Sequence, residues 1–401
     1  MKHNYDVIIV GAGIVGLSTC YKLLEKNRGL KICIIEKEAG VSKHQTGNNS
    51  GVIHSGIYYK PGSLKALNCR KGYKMLLDFC NENKIKYEIC GKVIIATEEK
   101  ELEGMRKIYE RGVENGLEGL KYLTPEEIKN YEPYVTNAIK GIYVPQTGII
   151  DYKEVSEKLE KLIYDMGGEI HFNERLADIK LRRSDTFVEI ITNKEYYSTK
   201  FLITCAGLQS DRIAKITNPG LNIKIIPFRG EYYVLKKEKR NLVKNLIYPV
   251  PDPQFPFLGV HFTRMLDGER EAGPNAVFAF KREGYNKFDI DFGDMFDAVF
   301  WKGFLNIAKK YWRMGFMEFY RSFSKPAFLK SLQRLVPGIQ DGDIIPGGAG
   351  VRAQACDNKG NLIDDFLFVE SENVLHICNA PSPAATACLS IGETIASKVS
   401  V

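Results

Sequence analysis

Apolar and polar positions along this chain fall into blocks whose period changes repeatedly, and each block predicts an element. Tyr5 to Val10 is apolar apart from Asp6, the pattern of a buried strand. It runs into Gly11-Ala12-Gly13-Ile14-Val15-Gly16 and then a helical stretch from Leu17 to about Leu24. Lys31 to Ile35 predicts a second strand, ending at Glu36. Helical spacing recurs over Lys65–Asn83, Lys100–Glu114 and Tyr152–Met166, the last closed by Gly167-Gly168. Thr124-Pro125-Glu126-Glu127 caps a further short helix. Strand-like runs occupy Phe187–Ile190, Phe201–Thr204, Lys224–Phe228, Tyr232–Leu235 and Val374–Cys378, and a last helix is expected from about Thr386 to Lys398.

The first block carries chemistry. A Gly-x-Gly-x-x-Gly run between a strand and a helix, with an acidic residue about 20 positions on, is the dinucleotide-binding pattern. Gly11, Gly13 and Gly16 allow the tight turn, while backbone N–H groups through Ile14 and Val15 face a pyrophosphate. Glu36 is expected to accept from ribose hydroxyls, with Lys37 beside it. Two later segments resemble the same kind of turn. Ala206-Gly207 follows the strand at 201–204, and Pro383-Ala384-Ala385-Thr386 follows the strand at 374–378. Three dispersed segments converging on one elongated cofactor favour FAD over NAD. The loop from Gln45 to Tyr59 adds short donors and acceptors at Thr46, Asn48, Ser50, Gly51 and Val52, and one imidazole, His54.

Composition narrows the class. With 401 residues the chain is long enough for two lobes. Hydrophobic content of 44% and charged content of 26% are those of a globular protein. No apolar run approaches the ~18 residues of a membrane span, and no secretory leader is legible. The expected location is therefore the cytoplasm or the cytoplasmic face of the inner membrane. Nine cysteines without a Cys-x-x-Cys pair read as buried thiols, and no metal is expected. A net charge of +7 is too small to imply nucleic acid. Both tryptophans lie within Met295–Leu335, where Phe296, Phe300, Trp301, Trp312, Phe316 and Phe323 interleave with Lys302, Lys309, Lys310, Arg313 and Arg321. That mixture predicts peripheral membrane contact; a helical cap on the second lobe is the alternative.

The loop His44–Tyr59 is one of several long motifs. Others are Tyr248–Pro253 continuing through Pro256–Thr263, Gly273–Ala276, Ala279–Tyr285, Gly350–Gln354 and Asn379–Thr386. In these the chain resembles the L-2-hydroxyglutarate dehydrogenases and oxidases, within the D-amino-acid-oxidase-like flavoproteins. The stretch Arg264–Ala272 departs from the expected quieter hairpin by its charge. The resemblance implies a mixed α/β and α+β fold: a Rossmann-like, glutathione-reductase-like FAD domain (1–85, 145–220 and 335–401) and an antiparallel-sheet substrate domain (86–144 and 221–334). It implies oxidation of L-2-hydroxyglutarate to 2-oxoglutarate, with hydride to flavin N5 and electrons onward to a quinone or oxygen. A flavin amine oxidase or a glycerol-3-phosphate dehydrogenase is the rival on the same scaffold.

Such a reaction needs a base and cations for carboxylates. His54 and His261 are the candidate bases, since neutral imidazole suits the task near pH 7. Arg352 is the first choice for the substrate carboxylate, with Lys281, Arg229 and Tyr59 behind it. The bland readings are a loop-structuring His54, a strand histidine at 261, an Arg352–Asp364 ion pair and tyrosines that merely pack.

Overall fold

The N-terminal apolar run forms strand His3–Val10, flanked in parallel by Ile32–Ile35 and Tyr196–Thr204. The structure, a computed structural model, describes residues 3–181, 187–252 and 258–400; the motif residues Pro253, Pro256 and Phe257 lie outside them. Glu169–His171 and Val374–Asn379 extend the parallel sheet on its two sides. Alternation explains why the strand is apolar throughout. Val7 and Ile9 pack with one cluster, and Ile8 and Val10 with another on the opposite face. A parallel strand covered on both sides has no polar face to display. Helices Ile14–Lys26, Leu64–Asn83, Tyr152–Asp165 and Cys388–Ala396 supply the first cover. The hairpin of Leu176–Leu181 and Val188–Thr192 contributes to the second. The predicted last helix starts two residues later than expected, at Cys388.

A second, mixed sheet is mostly antiparallel. Its order runs from Val277–Phe278 through Ile223–Leu235, Arg270–Gly273, His261–Arg264, Ile247–Pro249, Lys92–Ala96 and Lys140–Val144 to Lys121–Leu123. Ile344–Asp357 pairs along nearly the whole of Ile223–Leu235. This corrects the expected domain boundary. Residues from 335 were assigned to the cofactor domain, but the chain rejoins the first sheet only after Asp357, at Leu367–Ser371. Apolar residues such as Val336, Ile339 and Ile344 hold it in the second core.

The two faces of this second sheet differ. Val93, Ile95, Ile247, Phe262, Ala272 and Leu235 point to one side, under helix Lys325–Gln333. The opposite face follows from the registers. Ile94 pairs with Tyr248, and Ile247 with Phe262, so Tyr248 lies across from His261. His261 pairs with Gly273, which the Tyr233–Ala272 pairing sets across from Tyr232. Phe228, on the same side as Tyr232, pairs with Arg352. Lys92, Tyr248, His261, Tyr232 and Arg352 therefore share one face.

The unexpectedly charged hairpin is explained by its neighbours. Arg264 pairs with Glu88, Arg240 donates to Glu269 at 3.0 Å, and Arg270 donates to the Val243 carbonyl at 2.6 Å. Charge here fastens the hairpin turn to the segments beside it.

Arg282 ties the two sheets together. It is buried, grips both oxygens of Asp211 and donates to the Leu208 carbonyl at 2.8 Å. Arg282→Met leaves Asp211 buried without its partner and is expected to cost about 3–5 kcal/mol. Lys281→Met, at an exposed neighbouring position, is expected to stay within about 0.5 kcal/mol. Urea unfolding of the two variants separates them; equal stability would refute the tie.

Candidate active site

Strands His3–Val10 and Tyr196–Thr204 end together, and their following turns meet. Gly11 has φ +105°, and a Cβ there would lie 2.5 Å from the Cys205 carbonyl oxygen. Gly16 is the closing contact, since its Cβ would fall 2.0 Å from the Gly11 oxygen. Gly16 therefore packs the turn and does not border the cavity. Gly13 begins helix Ile14–Lys26 with no side-chain cap of its own, and the Ile14 N–H goes to Thr46, so the donors this helix end offers a ligand lie beyond Ile14. Glu36 is oriented by two backbone donors, Ala12 at 2.7 Å and Glu38 at 2.9 Å.

A cavity of about 720 Å³ extends from this turn. Gly11, Gly13, Ile14, Val15, Glu36 and Lys37 border one end. Thr46, Asn48, Ser50 and Val52 form a side wall, Ala206 and Gly207 another, and Pro383, Ala384 and Ala385 a third. His54, Arg352 and Lys281 also border it. The loop is built by its own side chains. Asn48 donates to the His44 carbonyl at 2.8 Å, and Thr46 accepts from the Ile14 N–H at 3.1 Å. Gly51, at φ +62°, turns the chain where a Cβ would be 2.7 Å from the Ile150 oxygen; its part is to join the loop to the sheet.

Other nominated residues are placed differently. Arg229 is buried and donates to Glu231 at 2.8 and 3.0 Å and to the Asn286 carbonyl at 3.0 Å. It faces away from the cavity and is removed from the substrate set. The Thr386 hydroxyl accepts the His54 N–H at 3.0 Å and pairs with the Tyr152 hydroxyl at 2.8 Å. Thr386 thus clamps the loop to the C-terminal segment without bordering the cavity. Tyr59 lies outside the cavity wall, hydrogen-bonded to Ser382 and beneath the Lys65 amine. Lys37 donates to Glu38 and Glu283, both at 2.7 Å, and contacts His44 Nε2 at 3.0 Å. Glu38, His44 and Glu283 have the spacing of a metal site, but the Lys37 ammonium sits among them as their cation.

Around His54 the electrostatics are one-sided. Burial, then the charges of Lys92, His261, Lys65 and Arg352, bring His54 down to about 3. His261 is lowered to about 4, mainly by burial, with Lys92 and Arg352 adding to it. Its Nδ1 lies 2.9 Å from the Gly259 carbonyl and donates there, which leaves Nε2 as a bare acceptor. His261 does not itself border the cavity. Arg352 is exposed and borders this cavity, and desolvation lowers its pKa from the usual arginine range. Asp364 forms its ion pair with Lys65, at 2.8 Å. Tyr232 and Ser382 also border the cavity and Lys92 lies behind its wall; Lys92 and Tyr232 carry no sequence motif of their own, and Ser382 sits unnominated within the Asn379–Thr386 motif.

The glycine turn, the helix end and Glu36 suit the pyrophosphate and ribose of a dinucleotide, and the same cavity continues to His54 and Arg352. A family model described as FAD dependent oxidoreductase matches residues 6–398, and the chain belongs to that family. Over 98% of its length it is 53% identical to the L-2-hydroxyglutarate dehydrogenase of Indibacter alkaliphilus, 98% of which is covered. It is 43% identical over 98% of its length to the enzyme of that name from Escherichia coli K12, 93% covered. The mitochondrial one of Homo sapiens is 42% identical over 99% of this chain, 89% covered. Among FAD-dependent oxidoreductases the chain thus groups with the L-2-hydroxyglutarate dehydrogenases. The fold also matches FAD-bound L-α-glycerophosphate oxidase of Mycoplasma pneumoniae, with TM-score 0.81, 22% identity and coverage of 100% and 96%. Glycine oxidase of Geobacillus kaustophilus gives TM-score 0.73 at 16% identity, with coverage of 98% and 94%.

Three histidines are held neutral: the half-buried His54 and the buried His261 and His376, the last lowered to about 4 and set between Thr204 and Thr217 at 2.8 and 2.7 Å. In the unfolded chain each titrates near 6.5, so between about pH 6.5 and 4 the unfolded state binds more protons. Stability is then complete above pH 6.5 and falls as pH drops toward 4. His376→Gln, at a position that does not itself border the cavity, is expected to flatten that fall in thermal melts. An unchanged slope would refute the assignment.

Proposed function

We propose that this protein oxidises L-2-hydroxyglutarate to 2-oxoglutarate, using FAD. The observation that carries the reading is His54, a neutral base, in one cavity wall with the Arg352 guanidinium. Oxidation of the carbinol removes a hydride from C2 and a proton from its hydroxyl; bound FAD supplies the hydride acceptor. His54 takes the hydroxyl proton. The imidazole is kept unprotonated by burial and adjacent cations, and it is positioned by the Thr386 clamp on its backbone and by Ser382 Oγ 3.4 Å from Nε2. Arg352 binds a substrate carboxylate with its planar fork, while Lys281 at the cavity edge attracts the anion. The glycine turn, Glu36, the loop wall and the two later turns hold the cofactor. The first sheet and its helices form the cofactor lobe, and the second sheet forms the substrate lobe.

His54→Ala is expected to slow anaerobic bleaching of the flavin by L-2-hydroxyglutarate about 10²–10⁴-fold, with FAD content unchanged. A normal rate would make the loop structural and pass the base role to His261.

Electrons leave to a quinone or oxygen, the former through a membrane contact. Phe300, Trp312 and Phe316 are 75%, 63% and 69% exposed along Lys302–Phe323 and the turn before it. Lys309, Lys310 and Arg313 stand among them, an arrangement that suits an anionic lipid interface. Among the described residues no helix is long and apolar enough to cross a membrane. In flotation with anionic vesicles at low salt the protein is expected to rise with the lipid, and Trp312→Ser with Phe316→Ser to abolish this. Recovery of the wild type wholly in the lipid-free fraction would end the membrane reading.

A further inference from the structure

The second sheet places a buried amine beside the histidines. Lys92 is 2% exposed in the strand Lys92–Ala96, whose other residues are apolar. Its Nζ lies 4.3 Å from the ring centre of Tyr58 and 4.9 Å from that of Tyr248. Tyr248 in turn packs at a tilt against His261, with ring centroids 4.1 Å apart. Rings hold the amine, and among the described residues no carboxylate pairs with it. The acid on this face, Glu271, is raised to about 7 by burial and acts on Tyr232 and Tyr248. Burial lowers Lys92 to about 7 as well, so without an anion its charge is poorly supported. Nearby, the buried Tyr58 hydroxyl has no hydrogen-bond partner among the described residues.

A buried ammonium without a counter-ion is costly unless a ligand completes it. Lys92 and Arg352 both act on His54 and on His261. The strand order sets His261 between the strands of Lys92 and Arg352 on one sheet face, and the same two charges act on His54, a pattern that a monocarboxylic acid leaves half filled. We propose that Lys92 binds the second carboxylate of the substrate and so selects a dicarboxylate over a monocarboxylic 2-hydroxy acid. Arg352 takes the other carboxylate, and the carbinol lies between them at His54. The flexible four-carbon stem lets the amine turn from the rings toward the bound anion.

This assignment rests on the dicarboxylate reading above, and binding of unreactive acids tests it separately. Glutarate and pentanoate have the same chain length, and neither carries a hydroxyl to oxidise. Calorimetric titration of the FAD-loaded protein is expected to show glutarate binding more tightly than pentanoate. In Lys92→Met, glutarate affinity should drop roughly 10- to 100-fold, while pentanoate affinity stays as it was. Lys92→Gln, which keeps a polar chain end without the charge, should lose the same preference. FAD content and melting temperature should hold in both, because removing an unpaired buried charge does not weaken a fold. A glutarate preference that survives both substitutions, or that the wild type never shows, overturns the proposal. So does loss of the folded state in both variants, which would assign Lys92 to structure. If glutarate selectivity depends on Lys92 yet L-2-hydroxyglutarate fails to bleach the flavin, the activity reading falls and the binding assignment stands.

Discussion

The centre of this protein depends on one contact that leaves no room for a side chain, that of Gly11 with the Cys205 carbonyl. Two parallel strands end side by side, and the Cys205 N–H donates to the Val10 carbonyl at 2.7 Å. Their turns are thereby forced together. Only glycine at 11 tolerates both the positive φ and the approach, and Gly16 then seats the helix on that same turn. The helix end, the carboxylate of Glu36 and the walls of the cavity all take their positions from this crossing. Nothing about the ligand is needed to explain it; the cofactor occupies space that strand geometry creates.

The opposite side of the cavity is governed by electrostatics. Lys92 and Arg352 act on both His54 and His261 in a poorly solvated space, and Lys65, which pairs with Asp364 at 2.8 Å, acts on His54. Positive charge without water favours neutral imidazole and favours anionic ligands, so the conditions for a base and for an acid substrate have a single origin. The aromatic layer reinforces this. Tyr58 and Tyr248 shield the amine while offering it only the faces of their rings.

Much of the cofactor side was legible because its signals are local. The strand, glycine turn and helix lie within 26 residues of the N-terminus, and the turns at 206–207 and 383–385 repeat the same grammar. His54 and Arg352 stood out within long motifs. Lys92 did not, since one lysine before Val93-Ile94-Ile95 has the look of a strand end reaching solvent. The Lys37–Glu38–His44–Glu283 cluster was hidden for a different reason. Glu283 is 246 residues from Lys37, and no spacing rule connects them. The boundary placed at 335 failed because Ile344–Asp357 is apolar and small in much the same way as a strand of either sheet.

Arg229 and Arg352 show the division most clearly. The sequence by itself determined that both lie in strand-like segments, and with the fingerprint and the motifs it determined the cofactor class and a 2-hydroxy acid site. It did not determine which arginine faces the cavity. The tertiary structure pairs Phe228 with Arg352 and Arg229 with Val351, so the two guanidinium groups leave the same pair of strands on opposite faces. Side chains alternate with a period of two, and only the register between strands 120 residues apart says which parity faces the cavity. Arg229 turns to Glu231 in the protein interior, and Arg352 turns to the space where an acid can bind.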